Sequence, residues 1–169
     1  MTSRIDIYDP FCSQQAQLWS MQRFLSTYTV HDSHLTEVLI TPHQGILMLI
    51  DWDLHWNPAI PAPFQRLGVW FTKPYLSQWS QGGWLQSTLS DATVEFVSQE
   101  ERKRMLEDGT IDLRAFQSLP DEIPPAPFDD TLTRTRFKLM NWSTYEVIHH
   151  ETVKFGCFND EGHPFAIPM

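Results

Sequence analysis

The stretch LIDWDLHW, Leu49 to Trp56, sets Asp51, Asp53 and His55 at alternate positions, with Trp52, Leu54 and Trp56 beside them. Alternate side chains of a strand point the same way, roughly 6–7 Å apart. Two carboxylates and an imidazole on one face are a donor set for Mg2+, Mn2+ or Zn2+, and so for a metal-dependent hydrolase or nuclease. The same pattern also describes the wet side of a half-buried strand. A metal needs three or four convergent ligands, and a single strand rarely supplies them. We read the three residues as a polar face, and Asp51 and Asp53 as part of an acidic docking surface, with no resident metal or cofactor.

Other groupings offer less chemistry. HDSH, His31 to His34, contains the adjacent His-Asp pair of metal phosphohydrolases, but that pair belongs on a helix and here it opens a β segment. A turn fits better, with Asp32 bonding its local backbone. His149 and His150 in EVIHHET fall on opposite sides of a strand and cannot share a ligand face. One of them could work with Glu146 or Glu151 as acid and base, but a satisfied structural histidine is the simpler assignment. The chain has no G-x-S-x-G, no G-x-G-x-x-G and no G-x-x-x-x-G-K-[ST], so neither a nucleophile elbow nor a phosphate-cradling loop is indicated. Trp70, Trp79, Trp84 and Trp142 could stack on a small ligand in an aromatic pocket; such residues also serve as core or interface anchors.

These residues must be positioned by a chain of 169 residues, 41% hydrophobic and 13% aromatic, which suits one folded domain spanning 1–169. Arg4–Tyr8 alternates as a short strand. DPFCSQQAQLWSMQRFL reads as a helix capped by Asp9, with Pro10 in its first turn. HLTEVLI, TPHQG and ILMLIDWDLHW form a hairpin. RLGVWFTK and TVEFV are strands, and PYLSQWSQGGWLQSTLSDA is strand or irregular. Ser98 and Glu101 make a capping box that opens a second helix, stopped by Gly109, with Glu100 facing Arg104. TIDLRAF is a further strand candidate. SLPDEIPPAPFDD is an acidic, proline-rich loop. TLTRTRFKLM and STYEVIHHETVKFGCF close the chain as two long β segments. In the first, Leu132, Arg134, Arg136 and Lys138 share what reads as an exposed basic face. The expected fold is α+β: a mostly antiparallel sheet of seven or eight strands with two helices.

The net charge of -9 is unevenly spread. Residues 1–60 carry six acids and two bases, residues 98–130 carry nine acids and four bases, and the remaining stretches balance. Bare nucleic acid is a poor ligand for such a chain, because its binding rests on Lys and Arg at phosphates. A basic protein is a sensible partner. The candidate contact residues are Asp51, Asp53, Glu100, Glu101, Glu107, Asp108, Asp121, Glu122, Asp129 and Asp130. Cys12 and Cys157 form no C-x-x-C or zinc spacing, which suits a reducing cytoplasm and leaves a single disulfide open. The N-terminus lacks the apolar core of a signal peptide, and the apolar run at 38–50 is too interrupted to span a bilayer. A cytoplasmic location is expected.

VHDSHLTEVLITPHQGILMLIDW followed by RLGVWF resembles the opening of small bacterial domains that include immunity proteins. In these, a His-Asp turn leads into a hairpin and then a strand with an aromatic. The resemblance covers about residues 30–72 and implies a non-catalytic function: neutralising a cognate bacterial toxin by occluding its active-site surface. For a nuclease toxin with a basic groove, an acidic inhibitor imitates the phosphate backbone. The sequence leaves the partner's identity and the oligomeric state open.

Overall fold

A computed structural model describes residues 17–41, 45–71, 74–80, 88–110, 132–140 and 142–168. Their fold is α+β, with two α-helices and ten strands in antiparallel sheets. The elements in chain order are β1 (Gln17–Ser20), α1 (Met21–Thr27), β2 (His34–Thr41), β3 (Gly45–Asp51), β4 (Arg66–Phe71), β5 (Pro74–Trp79), β6 (Leu89–Phe96), α2 (Gln99–Glu107), β7 (Leu132–Leu139), β8 (Thr144–His150), β9 (Thr152–Phe158) and β10 (Pro164–Phe165). One sheet runs β1-β9-β4-β3-β2, with β10 also on β9; the other runs β5-β8-β7-β6.

The two sheets share one core. Leu35, Ile46, Met48, Ile50, Leu67, Val69, Phe71, Val153, Phe155 and Cys157 line the first sheet's inner face. Leu89, Phe137, Leu139, Tyr145 and Val147 line the second. Phe24 of α1 enters between them and stacks on Phe155 at 4.3 Å. Truncating a ring so placed costs about 3–5 kcal/mol.

Two elements depart from the sequence reading. The helix expected from Asp9 onward is, over Gln17–Ser20, a strand paired with β9. The helix starts at Met21 because the Ser20 hydroxyl accepts from the Arg23 N–H at 3.1 Å. STYEVIHHETVKFGCF is two strands in different sheets: β8 pairs with β7, and β9 pairs with β4. Glu151 alone joins them. Tyr145, Val147 and His149 before it, and Val153, Phe155 and Cys157 after it, all turn inward, so the period of two continues through the corner.

The β2–β3 hairpin and the Ser98 cap form as expected, and Gly109 ends α2 with φ +77°. The ambiguous Pro74–Trp79 segment is a strand on β8. Cys157 is a free, buried thiol that donates to the Phe64 carbonyl at 2.8 Å; burial pushes its pKa up to about 12. Arg4–Tyr8, TIDLRAF, the proline-rich loop, Cys12 and Trp84 lie outside the described residues. Among the described residues, no helix is long and apolar enough to cross a membrane.

Candidate docking surface

At one end of the sandwich three segments are tied together. Strand β3 stops at Asp51, which is exposed and lies beside Arg66 in register. The next residue, Trp52, is buried and its indole donates to the Thr29 carbonyl at 2.7 Å. Asp53 caps a 3-10 turn, Leu54–Trp56: its carboxylate accepts from the His55 N–H at 2.8 Å, and its own N–H donates to the Ser33 hydroxyl at 2.9 Å. Asn57 closes the turn on Thr29 with paired bonds of 3.0 Å and on the Asp53 carbonyl at 2.8 Å. Asp51, Asp53 and His55 are therefore not alternate positions of one strand. The metal-bearing face imagined from their spacing is a strand end followed by a capped turn, whose backbone already takes the Asp53 carboxylate. Among the described residues no three His, Cys, Asp or Glu side chains gather as a metal-binding group.

The same turn presents Trp56, half-exposed and held on three sides. Its indole N–H donates to the Asp32 carboxylate at 3.2 Å, and the His31 and His55 rings meet it edge-on at 5.7 and 4.9 Å. His31 and Asp32 do form a turn, with Asp32 at φ +61°, a left-handed conformation Asp tolerates better than most residues. The Asp32 carboxylate reaches Trp56 across the surface, a contact the local-bond expectation did not include.

The third segment is the β7–β8 connection. The Asp32 N–H donates to the Leu89 carbonyl at 2.9 Å, and the Met140 N–H to the Thr88 carbonyl at 2.9 Å. The start of β6 thus holds the 31–33 turn on one side and the hairpin on the other. Met140 and Trp142 project from that hairpin; Trp142 is 89% exposed and adopts φ +70°, a rare conformation for so bulky a residue. Three of the molecule's large exposed apolar side chains, Trp56, Met140 and Trp142, therefore share this end with Asp32, Asp51 and Asp53. Lys138 is also exposed here.

The acids of α2 lie elsewhere. The helix follows the far end of β6, and that eight-residue strand separates it from the Ser33–Asp53 contact by roughly 20–25 Å. Glu101 does not return to its cap. Its carboxylate engages Arg134, and this bond holds it below the usual carboxylate range. Arg134 is nearly buried and is also met by Glu95 at 2.9 Å and Glu146 at 3.7 Å. Arg136 shares Glu95 at 3.3 Å and Glu146 at 2.7 Å. Of the basic face read from TLTRTRFKLM, Arg134 and Arg136 are thus met by three glutamates, one of them on α2, while Lys138 stays exposed. Leu132 on that face packs with Val97, Met105 and Ile148.

Of the remaining candidates, Glu107 pairs with Lys103 at 4.0 Å, Asp108 takes the Thr110 N–H and hydroxyl, and Glu100 is exposed. The Thr110 bonds hold the Asp108 carboxyl below its ordinary value. Asp121, Glu122, Asp129 and Asp130 lie outside the described residues. Six of the ten candidate acids are described, and they divide between two ends: Asp51 and Asp53 at one, Glu100, Glu101, Glu107 and Asp108 at the other. The tryptophans considered for a shared pocket also separate. Trp79 packs inside on Tyr145, Trp70 lies on the opposite face of the other sheet under Lys154, and Trp142 stands in solvent.

Trp56, Asp32 and Met140 carry this surface but were not candidates from the sequence. Strand alternation placed Trp56 on an apolar side; the signal that could have corrected it is Asp53, a good cap residue followed by a short turn ending at Asn57. Comparison with protein-family models, with curated proteins and with solved structures returned no match.

Proposed function

We propose that this is a non-catalytic binding protein that docks a basic protein partner through the end bearing Trp56, Met140 and Trp142. The observation that carries the reading is the placement of those three exposed apolar side chains beside Asp32, Asp51 and Asp53. Binding hot spots favour Trp surrounded by groups that exclude water, and Trp56 is already fixed by its hydrogen bond and two flanking rings, so little side-chain freedom is lost on docking. The carboxylates speed encounter with a positive surface, and the aromatics slow release. In the form that the resemblance of residues 30–72 suggests, the partner is a bacterial toxin, a basic-grooved nuclease being a fitting example, and the protein is its immunity factor. Co-expression with the product of the adjacent gene tests this. The wild type protects the cell and co-purifies with that product, and Trp56→Ala with Trp142→Ala abolishes both. Protection that persists in the double variant overturns the assignment of the surface; absence of both complex and protection in the wild type overturns the immunity role.

A further inference from the structure

Asp32 and Trp56 stand 24 residues apart in the chain, yet they meet on the surface already ordered. Asp32 is set by its left-handed backbone and by its N–H on the Leu89 carbonyl at 2.9 Å. Trp56 is set by the turn that Asp53 caps, and the His31 and His55 rings brace its indole. The indole N–H donates to one oxygen of the Asp32 carboxylate, Oδ2, at 3.2 Å. The other oxygen, Oδ1, has no hydrogen-bond partner among the described residues. The Asp32 side chain is 40% exposed and Trp56 is 50% exposed, so a group arriving from solvent can reach both.

The charge of Asp32 is not consumed within the fold. Among the described residues, no Lys or Arg pairs with it; its one ion-pair neighbour is the His31 ring, whose Nε2 lies 3.4 Å from the same Oδ2. The His31 Nδ1 sits 2.7 Å from the Ser90 carbonyl, which only accepts, so Nδ1 carries the proton. In the neutral ring Nε2 then has no proton to give Asp32. Arg66, across from Asp51 in register, turns instead to Asp160 at 2.9 Å. A half-exposed carboxylate is thus fixed at the rim of a half-exposed indole, without a cation of its own.

We propose, resting on the docking role given to this end, that Trp56 and Asp32 together receive an arginine side chain of the basic partner. The guanidinium lies against the exposed part of the indole, and an N–H on its rim donates to Asp32 Oδ1. A guanidinium is flat and weakly hydrated, so it can use the ring and the carboxylate at once. A lysine ammonium is a compact, strongly hydrated charge with no flat face, and it meets one of the two groups well but not both. The hydrogen bond to the charged carboxylate supplies most of the discrimination, because such bonds are about twice as strong as neutral ones. Both receiving groups are ordered beforehand, so little freedom is lost when the arginine docks.

The test is a titration of the isotopically labelled full chain with a capped Gly-Arg-Gly peptide, and separately with capped Gly-Lys-Gly of the same charge. The indole N–H resonance of Trp56, identified by its loss in Trp56→Phe, is followed. A saturable shift is expected with the arginine peptide, and binding about fivefold weaker with the lysine peptide. Asp32→Asn keeps an acceptor for the indole and tolerates the same backbone, and should bind arginine about tenfold more weakly. Glu107→Gln, on α2, should bind like the wild type. Equal binding of the two peptides, undiminished binding in Asp32→Asn, or shifts confined to the acids of α2 would each overturn the proposal. A chain that protects the cell but gives no arginine response overturns the arginine pairing and leaves the docking surface standing. A chain that responds to arginine but neither protects nor captures the neighbouring gene product upholds the pairing and removes the immunity role.

Discussion

The two ends of β6 use charge in opposite ways. At its finish, Glu95, Glu101 and Glu146 are committed to Arg134 and Arg136, and the ion network pins α2 to the sheet. At its start, Asp51 is exposed at a strand end and Asp32 shares its carboxylate with the indole of a half-exposed Trp56. Both regions contribute acids to the same net charge, yet one set is internal structure and the other is available surface. Counting carboxylates along a chain cannot distinguish them; their partners can.

The widest separation between the ends should come from Arg134→Ala. It takes from Glu101 its main cation and leaves Glu146 to Arg136 alone, and a loss of about 1.5–3 kcal/mol is expected in urea unfolding. Trp142→Ala, at the opposite end, should stay within about 0.5 kcal/mol of wild type in the same measurement, since the side chain is almost wholly in water. Equal losses would erase the distinction between the ends.

Acid sharpens it next. His149 is neutral in the fold and accepts a proton only near pH 4, whereas the unfolded chain accepts one near 6.5. Between those values the unfolded state binds more protons, so stability falls as pH drops through that window, by about 3 kcal/mol at most. His149→Gln should flatten the slope between pH 6.5 and 4 in thermal melts. A slope identical to wild type would assign the acid sensitivity to other groups.

Partner binding reverses the order of the two ends. Trp56→Ala should weaken a complex by about 2 kcal/mol, roughly thirtyfold, while Glu107→Gln on α2 leaves it unchanged, as read by calorimetry with the purified partner. The smallest effect is expected from Asp51→Asn: a slower association rate and a shallower dependence on salt, with little change in dissociation.

Much of the fold was legible where the signal was local. Ser98 and Gly109 bracket a helix because capping and left-handed backbone depend on neighbours within a turn. The β2–β3 hairpin follows from apolar runs around a Pro-Gly loop. The losses arose where distant pairing decides. Gln17–Ser20 has helix-like surroundings but lies on β9, and ladder bonds there outweigh propensity. Arg134 and Arg136 look solvent-facing in sequence because Glu95 and Glu101, which cover them, are more than thirty residues away. The candidate docking end was half visible: Trp142 and Asp51 were candidates, but Trp56, Met140 and Asp32 share an end because the start of β6 bonds both the Asp32 turn and the Met140 hairpin.

The corner at Glu151 has no slack. With one residue between two well-paired strands, an insertion or deletion there would turn the whole of β9 over, sending Val153, Phe155 and Cys157 to the sheet's outer face and Lys154 into the core. The length of this junction is therefore under tighter constraint than the identity of the residue that occupies it, and variants that tolerate many side chains at Glu151 should tolerate no change in count.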